Sequence, residues 1–153
     1  MIEVPVNRAF VFLVLLCVFS VVGVIYAQRL PTQRVEALPH AELVVGGRVL
    51  SVPVARTPEQ RSAGLRGSSS PILLFAWPKP AAAEFNMLGC DRPLWRFDLA
   101  DSARLGAPTV MRPGTQRYSV SSPVRCVLEV DPSSALALYF KPGASLRLPS
   151  FCF

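Results

Sequence analysis

The chain has 153 residues, 51% hydrophobic and only 17% charged, with 16 Lys and Arg against 10 Asp and Glu and a formal net charge of +6. That length suits one domain with an appendage and leaves no room for a second full domain. The basic residues, nearly all arginine, are spread singly with no run of five or more. This argues against a nucleic-acid-binding stripe and for a generally basic surface near anionic headgroups, or one paired with carboxylates of a partner.

After a short tail, residues 1–8, the stretch "AFVFLVLLCVFSVVGVIYA" (9–27) runs for 19 residues without a charge. That is long enough to cross the hydrocarbon core as a helix. It is longer than the apolar core of a cleaved signal peptide, and bulky Ile25 sits two positions before the one plausible cut at Ala27. Cys17 follows Leu16, which does not suit a lipoprotein, so an uncleaved single-pass anchor in the cytoplasmic membrane is expected. Arg8 on one side faces Arg29 and Arg34 on the other, so the positive-inside count chooses no orientation. The usual export arrangement places the following domain on the periplasmic, outer side. Residues 28–40, "QRLPTQRVEALPH", read as a polar, proline-punctuated tether.

The core is expected over 41–148. Of the 15 prolines, 14 follow the anchor, which suits short strands and tight connections rather than long helices. "AELVV" and "RVLSVPVA" flank Gly46-Gly47, a hairpin signal. "TPEQRSAGLR" has Thr57 as N-cap, Pro58 at the first helical position, acidic Glu59 in the first turn and Gly64 near the stop. "PILLFAW" is an apolar strand ended by "PKP". "AEFNML" and "LWRFDLA" surround a "GCDRP" break, and "APTVM", "QRYSVS" and "VRCVLEV" complete the strands. "DPSSALALYF" repeats the cap-and-proline device with Asp131 and Pro132, giving a second short helix. The fold class expected is mainly β: a small β-barrel-like or rolled-sheet domain with two short helices, closed or covered so that few edges stay bare.

Four pieces in this order resemble the domain of unknown function 192 (DUF 192) family: "TPEQRSAGL", "PILLFAW", "FNM" before "RPLWRFDLAD", and "VLEV" followed by a helix and "KPGASL". The resemblance covers about Leu43 to Leu148. It implies a small β-rich domain behind an export signal or membrane anchor, without an established activity. The departures fall where that family gathers polar side chains. Its Trp-Met-Lys-Asn-Thr cluster appears here as Asn86, Met87, Leu88, Gly89 and Cys90, and Trp95 stands where it has an aspartate. After Gly64-Leu65, Arg66, Gly67 and Ser68 replace its Met-Phe-Arg. Lys, Asn, Thr and Asp are thus missing, and with them any chemistry they serve.

Catalytic constellations are thin. The single histidine, His40, lies in the tether; the serines of "GSSS" and "SVSS" lack a nucleophile-elbow setting. Asp98 and Glu129 can meet across strands, with ion pairs to Arg96 or Arg125 the simpler outcome. No metal or cofactor is expected, since Cys90, Cys126 and Cys152 have no ligand spacing. Three cysteines outside the span allow three pairings, and Cys90 with Cys126 is favoured because both lie on core strand segments. An alternative is that no intrachain bond forms. Phe151 and Phe153, in the aromatic end 149–153, would dock on the domain itself or on a partner.

Two functional classes follow. One is a non-catalytic, membrane-anchored scaffold, such as an accessory subunit of a membrane complex that contacts the bilayer through 9–27 and a membrane protein through Phe151 and Phe153. The other is a small-ligand binder or enzyme with a site in the barrel mouth around Met87, Cys90, Asp98 and Glu129. A site predicts a concave pocket with convergent polar groups and perturbed ionisation, whereas a scaffold predicts a filled barrel. The absence of the polar cluster tilts the sequence reading towards the scaffold.

Overall fold

Gly46 and Gly47 adopt φ of 55° and 78°, the left-handed values a tight two-residue hairpin turn requires. They join β1 (His40–Val45) to β2 (Arg48–Ala55) with Val45 opposite Arg48. The computed structural model describes residues 34–99 and 103–153. Helix α1 (Pro58–Ala63) then carries the chain to β3 (Ile72–Ala81), which runs parallel to β2. The helix starts as expected. Thr57 Oγ accepts from the Gln60 amide and the Gln60 side chain accepts from the Thr57 amide, a reciprocal cap.

The remaining strands are β4 (Glu84–Met87), β5 (Leu94–Leu99), β6 (Thr109–Met111), β7 (Gly114–Ser119), β8 (Val124–Val130) and β9 (Leu146–Arg147). Seven form one curled sheet in the order β6-β5-β8-β3-β2-β1-β9, while β4 and β7 pair as a separate ribbon. The fold is mainly β, a half-barrel with few helices. β3 continues through Pro78 and Pro80 beyond its expected end, with a register irregularity between Ala76 and Ala81 against β8. Where a second α-helix was expected, a 3-10 turn spans Ala135–Tyr139. Asp131 does not cap it: its Oδ1 accepts from the Ser133 amide and hydroxyl in a local turn.

Pleating sends alternate residues to two faces, and each face has its own core. Leu43, Val54, Leu74, Phe97, Leu128 and Phe140 belong to one cluster. Residues from both halves of the sheet meet there, as the inside of a curl allows. Leu73, Phe75, Phe85, Met87, Leu94 and Val127 form the second cluster, on the other face, where the β4–β7 ribbon packs. The segment 103–105 hydrogen-bonds to 143–146 beside β9, covering that flank of the curl.

Two expectations are corrected, and one of two open alternatives is decided. The disulfide joins Cys126 to Cys152, and Cys90 is free. Cys126 points to the inner face with Cys152, whereas Cys90 packs against the outer cluster, so the sheet separates Cys90 from Cys126. The expected tether ends early: Val35 and Leu38 are both buried in the outer cluster, and Glu36 accepts from Ser68 Oγ, the Ser69 amide and Ser69 Oγ. Only residues of one 3-10 turn are involved, too few to produce a readable period. The aromatic end folds back on the domain, with Phe151 beneath the Arg56 guanidinium at 4.3 Å and the Phe153 carbonyl accepting from Arg125. The Phe153 side chain is exposed. The expected tail and span, 1–8 and 9–27, lie outside the described residues. Among the described residues, no helix is long and apolar enough to cross a membrane.

One buried charge attaches the ribbon. Arg96 of β5 is 2% exposed and donates to the carbonyls of Tyr118 and Ser119 at 2.8 and 2.9 Å. It pairs with Asp98 at 2.8 Å and lies 5.3 Å from the centre of the Phe85 ring. Replacing it should therefore free the ribbon and strand Asp98. Arg96→Met is expected to cost about 3–5 kcal/mol in urea unfolding, with partial recovery in Arg96→Met/Asp98→Leu. A loss below about 1 kcal/mol, the range of an exposed pair, would refute this role.

Candidate functional site

The outer face of the sheet is incompletely covered. Between it, β4 of the ribbon and the end of α1 lies a cavity of about 400 Å³. β3 contributes Phe75 and Trp77, β4 contributes Phe85 and Met87, and Leu94 begins β5. Phe75 and Trp77 are stacked at 6.3 Å with their planes 20° apart, and Phe85 stands edge-on to both. Phe75 and Phe85 are edge-to-face at 5.2 Å, and Trp77 and Phe85 at 6.4 Å. Arg61 of α1 stands over Trp77 at 5.2 Å and is tied down by the carbonyls of Arg56 and Ala76.

Glu129 is the buried acidic residue of the cavity lining. It sits on β8, flanked by β3 and β5, so both edges of its strand are paired. It is 5% exposed, and among the described residues nothing donates a hydrogen bond to its carboxyl group. Its cross-strand neighbour is Arg96. Burial raises its pKa from the ordinary 4.5 to about 8, against the opposing pull of Arg96. The carboxyl is therefore mostly protonated at neutral pH, able both to donate and to accept.

Cys90 lies in the turn after β4, and its thiol is pushed up mainly by burial and further by Glu129 and Asp91, with Arg66 and Arg92 opposing. It is thus a poor nucleophile at neutral pH. Gly89 beside it has a φ of 74°, and a Cβ there would meet Arg66 Cδ at 3.2 Å. The close approach of Arg66 and the left-handed turn both call for glycine at this point.

Of the four residues expected together, Met87, Cys90 and Glu129 line one cavity. Asp98 does not join them. It shares the outward-facing row of β5 with Arg96 but is held by that guanidinium, beside Thr109, Tyr118 and Ser119. The site lies outside the curl, under the ribbon, because the inner face is filled by its own core. Phe75, Trp77, Phe85, Arg61 and Arg66 also line the cavity and were not among the residues expected there. The available signal was Glu129 itself: a carboxylate within the largely apolar run "VRCVLEV", in a strand buried along most of its length. No group of three or more His, Cys, Asp or Glu able to hold a metal occurs among the described residues.

The raised carboxyl has a measurable signature. The folded state keeps a proton on Glu129 that the unfolded chain loses near pH 4.5. Its contribution to stability is therefore greatest below about pH 4.5, declines as pH rises and levels off above about pH 8. Wild type should lose stability relative to Glu129→Gln across that window, by up to about 1.4 kcal/mol per pH unit. Parallel pH profiles for the two proteins in urea titrations would contradict the shift.

No family model and no curated protein matches the chain. Two solved structures share its fold. One, a protein of unknown function from Novosphingobium aromaticivorans DSM 12444, is 23% identical with a TM-score of 0.59, covering 74% of this chain and 89% of its own. The other, from Sinorhizobium meliloti 1021 and provisionally described as a transcription regulator, is 24% identical with a TM-score of 0.56, covering 72% of this chain and 95% of its own. At these identities the likeness concerns the fold alone.

Proposed function

We propose that the chain is a small-ligand-binding protein whose site is the cavity between the sheet and the β4–β7 ribbon. The observation that carries this reading is Glu129, a carboxyl group 5% exposed, without a hydrogen-bond partner among the described residues, on the wall of a cavity. The Glu129 oxygens are not among the sealed, unsatisfied side-chain atoms of the described residues, so they open onto the cavity. A filled scaffold has no need of a carboxyl group opening onto a cavity, whereas a binding site offers it to a ligand. The mouth expected from sequence is thus moved to the outer face of the sheet, and the ligand reading takes precedence over the scaffold.

The apolar stretch 9–27 supports a proposed single-pass anchor in the cytoplasmic membrane, with the domain on its outer side. The order of elements that resembles DUF 192 domains is part of the same proposal. A second reading keeps the accessory subunit, with a membrane protein partner contacting Phe153, which is 57% exposed.

The test uses a neutral aromatic amide, naphthylacetamide, titrated calorimetrically into the full-length chain in lipid nanodiscs, with empty nanodiscs subtracted. Saturable binding is expected in wild type and at least about tenfold weaker binding in Ala83→Trp, which fills the cavity from its wall. Absence of saturable heat in wild type would sink the pocket and return weight to the scaffold.

A further inference from the structure

Resting on the pocket just described, the charges around it discriminate between ligands. Arg61 and Arg66 both line the cavity. Arg66 has no ion pair or hydrogen bond among the described residues. Glu84, the acidic residue of the rim, is already neutralised by Arg117 at 2.5 Å. Glu129 is the remaining acidic group of the lining, and it is buried in an apolar wall that disfavours its charged form. The Cys90 thiol responds electrostatically to Glu129 and to Arg66 alike, so these two groups act on one end of the cavity. Phe75, Trp77 and Phe85 supply the aromatic part of the same lining.

We infer that the site takes a small organic carboxylate with an aromatic or apolar body, its carboxylate paired with Arg66 beside the Glu129 carboxyl group and its body against Phe75, Phe85 and Met87. An organic cation would meet aromatic faces already covered, since Arg61 lies over Trp77 and Arg96 over Phe85. It would also have to ionise Glu129 to gain a counter-charge. A carboxylate instead finds a guanidinium free to form a charge-assisted fork and an O–H able to donate. Arg96 of β5, with Asp98 attached, lies beside Glu129 and adds to the same positive field.

Binding should fall as Glu129 ionises. The groups facing Glu129 or its end of the cavity are Arg96 from β5, Cys90 and Asp91 from the turn after β4, and Arg66 and Arg61 from the α1 side. Cys90 titrates above its ordinary 9.0, so a control in Cys90→Ala separates the two ionisations.

The experiment titrates naphthylacetate, naphthylacetamide and naphthylethylammonium into the full-length chain in nanodiscs, with empty nanodiscs subtracted. Near pH 6.5 the acetate should bind about tenfold or more tighter than the amide, as a charge-assisted pair implies. Arg66→Leu should erase that preference, cutting acetate affinity about tenfold or more relative to amide affinity in the same variant. Acetate affinity should fall as pH passes about 8 in wild type and in Cys90→Ala, but not in Glu129→Gln, which stays neutral. Equal acetate and amide binding, or tightest binding of the ammonium, would overturn the carboxylate assignment and leave the pocket standing. Binding of none of the three would overturn both.

Discussion

A guanidinium buried to 2% exposure cannot remain without partners, and the way Arg96 meets that demand shapes the outer half of the domain. It takes two backbone carbonyls from β7, one carboxylate from its own strand and the face of a ring from β4. β4 and β7 hydrogen-bond only to each other within the sheet assignments, so their position depends on such side-chain contacts. Arg96 thereby holds the ribbon over the sheet, and the ribbon forms one wall of the cavity. The same charge tempers the burial that keeps Glu129 protonated. Structure and electrostatics of the site thus share one residue.

The two faces of the sheet differ in how completely they are covered. On the inner face, aliphatic side chains from six strands, Phe140 and the Cys126–Cys152 bond close a continuous core. The outer face is covered by three separate pieces: the segment around Val35 and Leu38, the loop after α1, and the ribbon. Polar staples hold these pieces in place, among them Glu36 on Ser68 and Ser69, and Arg92 between Asp131 and the Ser68 carbonyl. Separate pieces leave a gap where they meet, and the gap is the cavity. The continuous core lies on one face and the cavity on the other.

Local chemistry was readable wherever a few neighbouring residues decide the conformation. The Gly46-Gly47 hairpin, the Thr57-Pro58 helix start and seven of the strands correspond to what turn residues, caps and alternation predict. Two-residue β9 was not anticipated, because it exists only through pairing with β1. β3 runs through two prolines because its register with β8 shifts there, something no local rule contains. The 3-10 turn in place of a second helix reflects Asp131 turning onto Ser133 rather than capping.

The sequence by itself determined the β class, the hairpin, the helix start and the presence of a carboxylate in a largely apolar strand, since each is set by interactions within a few residues. It also placed Met87, Cys90 and Glu129 together in one expected site, and the cavity unites them. Only the tertiary structure decided the rest. Cys126 bonds Cys152 rather than Cys90 because the pleat sends them to opposite faces. Asp98 leaves the site because a buried arginine two residues away claims it. Glu129 is unpartnered because the ribbon and the α1 loop stop short of each other above it. Such outcomes depend on which distant segments cover a surface and which groups they carry, and no local pattern encodes that.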